Sequence, residues 1–163
     1  MTNVESSVRI EIHTDGACLG NPGVGAWGAI LRRLDNEQET KKVAMSGTAS
    51  DTTNNRMELT AAIKAFGKLR TDETASVRVI SDSKYVVDGM TKWLPKWLAS
   101  SWLGAGRKPV KNRDLWEALM EASRGYTVQW KWVRAHNGDL LNEEVDSLAN
   151  GAARKAAAEL THL

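Results

Sequence analysis

The chain has 163 residues, 42% of them hydrophobic and 26% charged, the composition of one ordinary globular domain with a real core. One cysteine excludes an internal disulfide and a thiolate metal cluster within one chain. A net charge of +2 is too small to argue for nucleic acid by itself, and no apolar run approaches the roughly 18 residues of a membrane span.

The start, MTNVESSVRI, offers neither a basic nor an apolar leader region, so no secretion signal and a cytoplasmic setting are expected. Val8, Ile10, Ile12 and Thr14 alternate with Arg9, Glu11, His13 and Asp15, the period-2 pattern of a strand. In HTDGACLGNPGVGAW the pattern meets Asp-Gly, read as a strand end followed by a loop rich in turn residues. Residues 25–34 and 40–48 read as two further strands across the polar turn 35–39, completing an antiparallel meander. Leu59, Ala62, Ile63, Phe66 and Leu69 recur at helical spacing, with Thr53, Asn54 or Asn55 available as N-cap.

Residues 77–82 form a short β-rich run, after which Ser83 can cap a helix through Met90. Residues 91–108 are Trp-rich and irregular or helical, with Pro95 expected to interrupt the helix. Asn112 is placed to cap a helix carrying Leu115, Trp116, Leu119 and Ala122 on one face. Residues 127–133 give a fifth strand, and Asn142 is expected to cap a final helix through about Ala158. The order βββαβααβα predicts an α/β fold: a five-stranded mixed sheet, three strands antiparallel and then two parallel, with helices on its faces.

Charge is unevenly spread. Residues 84–113 carry seven basic side chains against Asp88 alone, net +6, which leaves −4 on the remainder. Such a segment is either a solvated surface or an attractor for a polyanion. The acidic remainder has its own pattern. Asp15 and Asp82 end predicted strands, while Glu58 and Asp146 lie in the first turns of predicted helices. If strands one and four are parallel neighbours, Asp15 and Asp82 emerge side by side at one sheet edge, where ligands of such sheets bind. Each acid taken singly is equally a turn former or a helix-end charge. Taken together, close carboxylates repel unless a hard cation sits among them, and an all-oxygen set suits magnesium or manganese.

The segments TDGACLGNPG, TTNNRMELTAAI, SDSKYV, KPVKNRDLW and NEEVDSLA, in this order, closely resemble type 1 ribonuclease H of the bacterial kind. The likeness covers about residues 8–155, so the resemblance implies one ribonuclease H domain with a handle at about 91–110 and a tail at about 156–163. It implies an endonuclease that cuts the RNA strand of RNA·DNA hybrids, leaving 5′-phosphate and 3′-hydroxyl ends, with primer and R-loop removal as the family's role.

The resemblance makes Asp15, Glu58, Asp82 and Asp146 the ligands of two Mg2+ ions, with Mn2+ as a substitute. Asp15 would bridge both ions, Glu58 and Asp82 would complete one site, and Asp146 the site that activates water. Two ions ~4 Å apart suit an in-line displacement without a covalent protein nucleophile. His136, in VRAHNGD, matches the family's functional loop histidine, able to shuttle a proton or aid product release. His13 is the poorer candidate, deeper on the face of Asp15.

For the hybrid itself, Cys18, Asn21, Asn54 and Asn55 match positions lining the minor groove, and Thr53 a hydroxyl seating a DNA-strand phosphate. Lys84 is counted with the substrate-binding residues, and Gly20, Gly23 and Gly25 would let the loop backbone approach the sugar edge. Trp97 matches an aromatic packing on DNA-strand sugars, whereas Trp93, Trp102 and Trp116 read as structural. LASSWLGAG, residues 98–106, lacks the lysines and arginines many relatives carry, so a weaker, less salt-sensitive grip is expected. Leu98, Trp102 and Leu103 offer a protein-contact surface as the alternative. No obligate partner and a monomeric state are expected. A silent hybrid-binding module would have lost a carboxylate, and all four are present; a domain detached from a reverse transcriptase is disfavoured by the handle.

Overall fold

The computed structural model describes residues 7–135 and 138–161. Five strands, β1 (Val8–Leu19), β2 (Gly23–Asp35), β3 (Gln38–Thr52), β4 (Ser76–Ser81) and β5 (Val128–Trp132), form one sheet in the order β3-β2-β1-β4-β5. The first three pair antiparallel, while β1–β4 and β4–β5 pair parallel. The helices are α1 (Asn54–Lys68), α2 (Lys84–Asp88), α3 (Leu94–Ala99), α4 (Arg113–Ser123) and α5 (Leu140–Thr161). No helix among the described residues is long and apolar enough to cross a membrane.

Period-2 alternation divides the sheet's two faces. Ile10 and Ile12 of β1, with Ala29 and Leu31 of β2 and Val77 and Val79 of β4, bury against α1 and α4 through Leu59, Ala62, Phe66, Trp116 and Leu119. The opposite face of β1 and β2 receives α5, with Ala17 and Ala26 against Ala149 and Ala153. Small residues on both sides bring this helix close to the sheet.

Asp15 does not end β1. Its ladder with β2 continues through Asp15↔Gly28, Gly16↔Trp27, Ala17↔Ala26 and Cys18↔Gly25 to Leu19↔Val24. What ends there is the parallel ladder with β4, whose last pair is Thr14↔Ser81. Asp-Gly is therefore no turn here: one edge of β1 stays paired while the other falls free. The hairpin between β2 and β3 is tighter than the polar run 35–39 suggested. Asp35 pairs with Gln38, and Asn36 and Glu37 both take positive φ, 49° and 67°, the conformation that matches strand twist.

Three helix boundaries also differ from the sequence expectation. Pro95 does not interrupt its helix: residues 89–93 widen into a π-turn, Leu94 N donates to the Gly89 carbonyl five residues back, and the helical chain runs on through Pro95 in the first turn of α3. Asn112 holds the N-cap position of α4 in left-handed conformation (φ 59°) but gives it no side-chain cap. Its amide instead donates to the Tyr85 hydroxyl (3.1 Å) and its Oδ1 accepts from Arg56 (3.3 Å). Helix α5 is capped by Asp139, whose Oδ1 accepts from the N–H groups of Leu141 (3.0 Å) and Asn142 (3.1 Å); Asn142 itself is buried inside the helix, which runs on to Thr161.

Two glycines set the helix-to-sheet distance. A Cβ on Gly16 would stand 2.5 Å from the backbone nitrogen of Glu58, and one on Gly28 would stand 3.1 Å from the carbonyl of Val145. Gly16→Ala is therefore expected to lower stability by about 1–3 kcal/mol and Gly28→Ala by less, because only the first contact is with backbone at impossible range. Urea unfolding midpoints of the two variants check the order.

Candidate active site

The carboxylates reach one place from four elements. Asp15 and Asp82 stand side by side where β1 and β4 part, each one residue past the last β1–β4 pair. Glu58 comes from the first turns of α1, lowered onto β1 where Gly16 has no side chain. Asp146 comes from α5, which Gly28 admits to the other face. Carboxylate oxygens of Asp15, Glu58 and Asp82 lie within 4.8 Å of one another. Asp146 joins them in lining an open pocket of about 390 Å³ with Cys18, Asn54, Ser83 and Asn150.

This arrangement is electrostatically unfavourable as it stands. Asp15 and Glu58 are 3% and 4% exposed. Burial, and then the charge of Asp82, push the Asp15 carboxyl up to about 8. Burial and the neighbouring Asp15 hold Glu58 well above the ordinary carboxyl range. Asp15 Oδ1 accepts one backbone hydrogen bond, from Gly16 N at 2.9 Å, but buried Oε2 of Glu58 has no hydrogen-bond partner among the described residues. An orphaned buried carboxylate oxygen in an all-oxygen cluster fits a hard divalent cation, which would supply both the missing partner and the missing positive charge.

The turn after β4 is built to present Asp82. Ser81 Oγ accepts from Ser83 N (3.0 Å), and Ser83 Oγ caps α2 through Val86 N (3.2 Å). Trp132, at the end of β5, donates its indole N–H to the Asp82 carbonyl (3.0 Å) and carries the Lys84 ammonium 5.3 Å above its ring. Asn150 donates to Asp146 Oδ1 (2.9 Å) and to its backbone oxygen (3.0 Å). Neither Trp132 nor Asn150 stands out in the sequence as a site residue. For Asn150 a signal existed, the four-residue step from Asp146 on one helix; for Trp132 none did, because its partner lies on another strand.

The remaining candidates divide. Cys18 lines the pocket, its thiol within reach of two carbonyl acceptors, Gly20 (2.6 Å) and Thr52 (3.3 Å). Asn21 Oδ1 accepts from Asn54 N (3.0 Å), tying the β1–β2 turn to the start of α1, and Thr53 proves to be the N-cap, accepting from Arg56 N (3.3 Å). Asn55 is exposed on the first turn of α1 and does not line the acidic pocket. Gly25 serves internal packing, since a Cβ there would meet Thr52 and the Ala17 carbonyl at 2.5 and 2.9 Å. His13 is buried, its ring nitrogen 3.1 Å from Glu11, and burial lowers its basicity. His136 lies outside the described residues.

Trp97 is half-buried in an aromatic row. It stacks on Trp102 (centroids 6.0 Å, 27°) and meets Trp93 (5.9 Å) and Trp116 (5.2 Å). Trp102 is buried, with Arg113 over its ring at 5.2 Å, so it is not available to the apolar contact surface suggested with Leu98 and Leu103. Beside this row runs a cleft of about 690 Å³ lined by Tyr85, Trp93, Trp97, Lys96, Lys108 and Lys111. These three lysines make no ion pair among the described residues.

Comparison with known proteins agrees with this geometry. The RNase H family profile matches residues 7–154. A ribonuclease H of Novosphingobium aromaticivorans is 51% identical over 148 residues, covering 91% of this chain and 99% of its own. A ribonuclease HI of Pseudomonas aeruginosa is 49% identical over 142 residues, covering 87% and 91%. Among solved structures, LC9-RNase H1, described as a type 1 RNase H with the type 2 active-site motif, superposes with a TM-score of 0.80 at 31% identity, over 94% of this chain and 75% of its own. LC11-RNase H1, solved in complex with an RNA/DNA hybrid, shares the fold at TM-score 0.69 and 21% identity, over 91% of this chain and 99% of its own. With the profile spanning nearly the whole described sheet and its helices, the chain belongs to the ribonuclease H family and is a type 1 enzyme of the bacterial kind.

Proposed function

We propose that this chain is an endonuclease that hydrolyses the RNA strand of RNA·DNA hybrids, giving 5′-phosphate and 3′-hydroxyl ends, with two Mg2+ ions held by its four carboxylates. The observation that carries the reading is the trio Asp15, Glu58 and Asp82, drawn within 4.8 Å, in which buried Glu58 Oε2 has no hydrogen-bond partner among the described residues. Family membership and a fold neighbour bound to a hybrid support the substrate.

Bound there, divalent ions supply water activation and neutralise charge on the departing 3′ oxygen. Asp15, with Glu58 and Asp82, would hold one ion; Asp15 with Asp146 would hold the other. Mn2+ substitutes because the donor set is the same for both. The protein's own contribution is orientation: the β1–β2 ladder fixes Asp15, the turn after β4 fixes Asp82, and α1 and α5 fix the remaining two. His136 would move a proton at the scissile phosphate or assist product departure.

Cys18 and Asn54 beside the carboxylates, with Asn21, Thr53 and Asn55 on the adjoining turn and first turn of α1, would offer small polar groups suited to feeling 2′-hydroxyls and a strand phosphate. Lys84, raised on Trp132, would meet a phosphate at the β5 side. Trp97 and the three lysines of the neighbouring cleft would take the DNA strand. Residues from about 8 to about 155 would act as one catalytic unit, a cytoplasmic monomer, with primer and R-loop removal as its cellular role.

The direct experiment offers a labelled RNA·DNA hybrid, duplex RNA and single-stranded RNA with Mg2+ or EDTA. Cleavage confined to the hybrid and abolished by EDTA is expected, as is at least ~10³-fold loss of turnover in Asp15→Asn. The same substitution is expected to stabilise the metal-free protein by about 1–3 kcal/mol at pH 7, because the folded carboxyl titrates near 8 and the unfolded one near 4. Between those values the folded state binds more protons, so stability falls as pH rises, and Asn removes the Asp15 share of that fall while Glu58 keeps its own. Urea unfolding in EDTA from pH 4 to 9 reads it.

Metal binding must displace the proton that Asp15 retains below pH 8. Mg2+ affinity is therefore expected to rise at least tenfold per pH unit below about 8, tenfold for the Asp15 proton and more steeply where Glu58, also held above the ordinary carboxyl range, gives up its own. Calorimetry in buffers of different ionisation heat counts the displaced protons directly.

For the cleft, Lys108→Ala and Lys111→Ala should each flatten the log affinity–log salt slope by about 0.7–0.9 without changing the choice of hybrid over duplex RNA. Fluorescence anisotropy with a catalytically silent variant measures it.

A further inference from the structure

We infer that Asn150 is a positioning residue for Asp146, a neutral clamp that fixes one carboxylate oxygen and leaves the other turned to the pocket. The inference rests on the functional reading above and extends it to a side chain that reading does not use. Asp146 is the one carboxylate of the four outside the tight trio, and it is neither buried nor held by the sheet. It stands on α5, where its side chain would otherwise choose among rotamers. Asn150, one helical turn on, lines the same pocket and places Nδ2 2.9 Å from Asp146 Oδ1 and 3.0 Å from its backbone oxygen. Two acceptors on one residue fix which end of the amide faces Asp146.

The chemistry of the donor matters as much as its reach. An arginine or lysine at this position would hold Asp146 by an ion pair and offset the charge a divalent cation needs. An alanine would leave the carboxylate free to swing. Asparagine restrains the geometry and leaves the full negative charge in place. Partners of this kind are worth about 10–100-fold in metal affinity or activity where they orient a ligand.

The test combines Asn150→Ala, which removes the donor, Asn150→Arg, which keeps a donor and adds charge, and Asp146→Ala. Hydrolysis of a labelled hybrid is followed against Mg2+ concentration, with thermal unfolding as the control for fold. The half-saturating Mg2+ is expected to rise about tenfold in Asn150→Ala, with the rate largely recovered at saturation, and to rise further in Asn150→Arg. A second readout needs no metal: the Asn150 side-chain amide resonances in the ¹⁵N spectrum of the metal-free protein should move and exchange faster in Asp146→Ala. A parental Mg2+ curve for Asn150→Ala, beside a shifted one for Asp146→Ala, overturns the clamp and leaves the functional reading standing. A parental curve for Asp146→Ala overturns the reading of Asp146 and the clamp with it. Amide resonances unmoved by Asp146→Ala overturn the clamp on their own.

Discussion

Two carboxylates that would rather be apart are forced together where one parallel ladder runs out, and the rest of the molecule is arranged around that constraint. Thr14↔Ser81 is the last β1–β4 pair, so Asp15 and Asp82 come next to each other just past the end of that ladder. Neither can move away. Asp15 remains stitched into the β1–β2 ladder for four further residues, and the Asp82 carbonyl is tied to the Trp132 indole. Repulsion that would normally be relieved by a rotamer change or a turn is instead retained, and it adds to the larger effect of burial in pushing the Asp15 carboxyl up to about 8. A backbone stable enough to impose this has to draw its stability elsewhere, from the apolar face that buries Phe66, Trp116 and the valines of β4.

Glycine decides how near the helices come. Gly16 and Gly28 lie on opposite faces of neighbouring strands, and each removes the side chain that would hold a helix off the sheet. Through the first, α1 delivers Glu58; through the second, α5 delivers Asp146. The two helices bring unequal degrees of order. Glu58 arrives buried, with its surroundings closed around it, while Asp146 arrives at the rim and is restrained by its own helix through Asn150.

Much of this was legible in the sequence because it rests on local pattern. The period-2 run of β1, the cap-and-helix signature at Thr53 and the Trp130–Trp132 alternation of β5 are short-range features, and the element order follows from them. The four carboxylates were legible as residues, and the parallel pairing of β1 with β4 gave the reason two of them meet. What stayed hidden depended on partners distant in sequence. The continuation of β1 past Asp-Gly is decided by β2, not by Asp15 or Gly16. Asn112 loses its capping role because Arg56 and Tyr85, far away in the chain, take both ends of its amide. Asp139 outcompetes Asn142 as the cap of α5, a choice between two equally good capping residues that composition does not make. Gly25 has the look of a loop glycine in sequence and proves to be a packing glycine, because its neighbours, Ala17 and Thr52, belong to other strands.

The first turn of α1 joins the two halves of the surface. Asn54 lines the acidic pocket and takes its N–H bond to Asn21, while Arg56, two residues on, forks onto Asp114 at 3.0 and 2.8 Å and reaches Asn112. Asn112 passes the connection to Tyr85, which also accepts from Trp116 and forms one wall of the lysine-rimmed cleft. The negative pocket and the positive cleft are thus held at a fixed separation by one helical turn and its hydrogen bonds, with no flexible linker between them. A long polyanion spanning both would be drawn in by the cleft and repelled by the pocket unless cations occupied it.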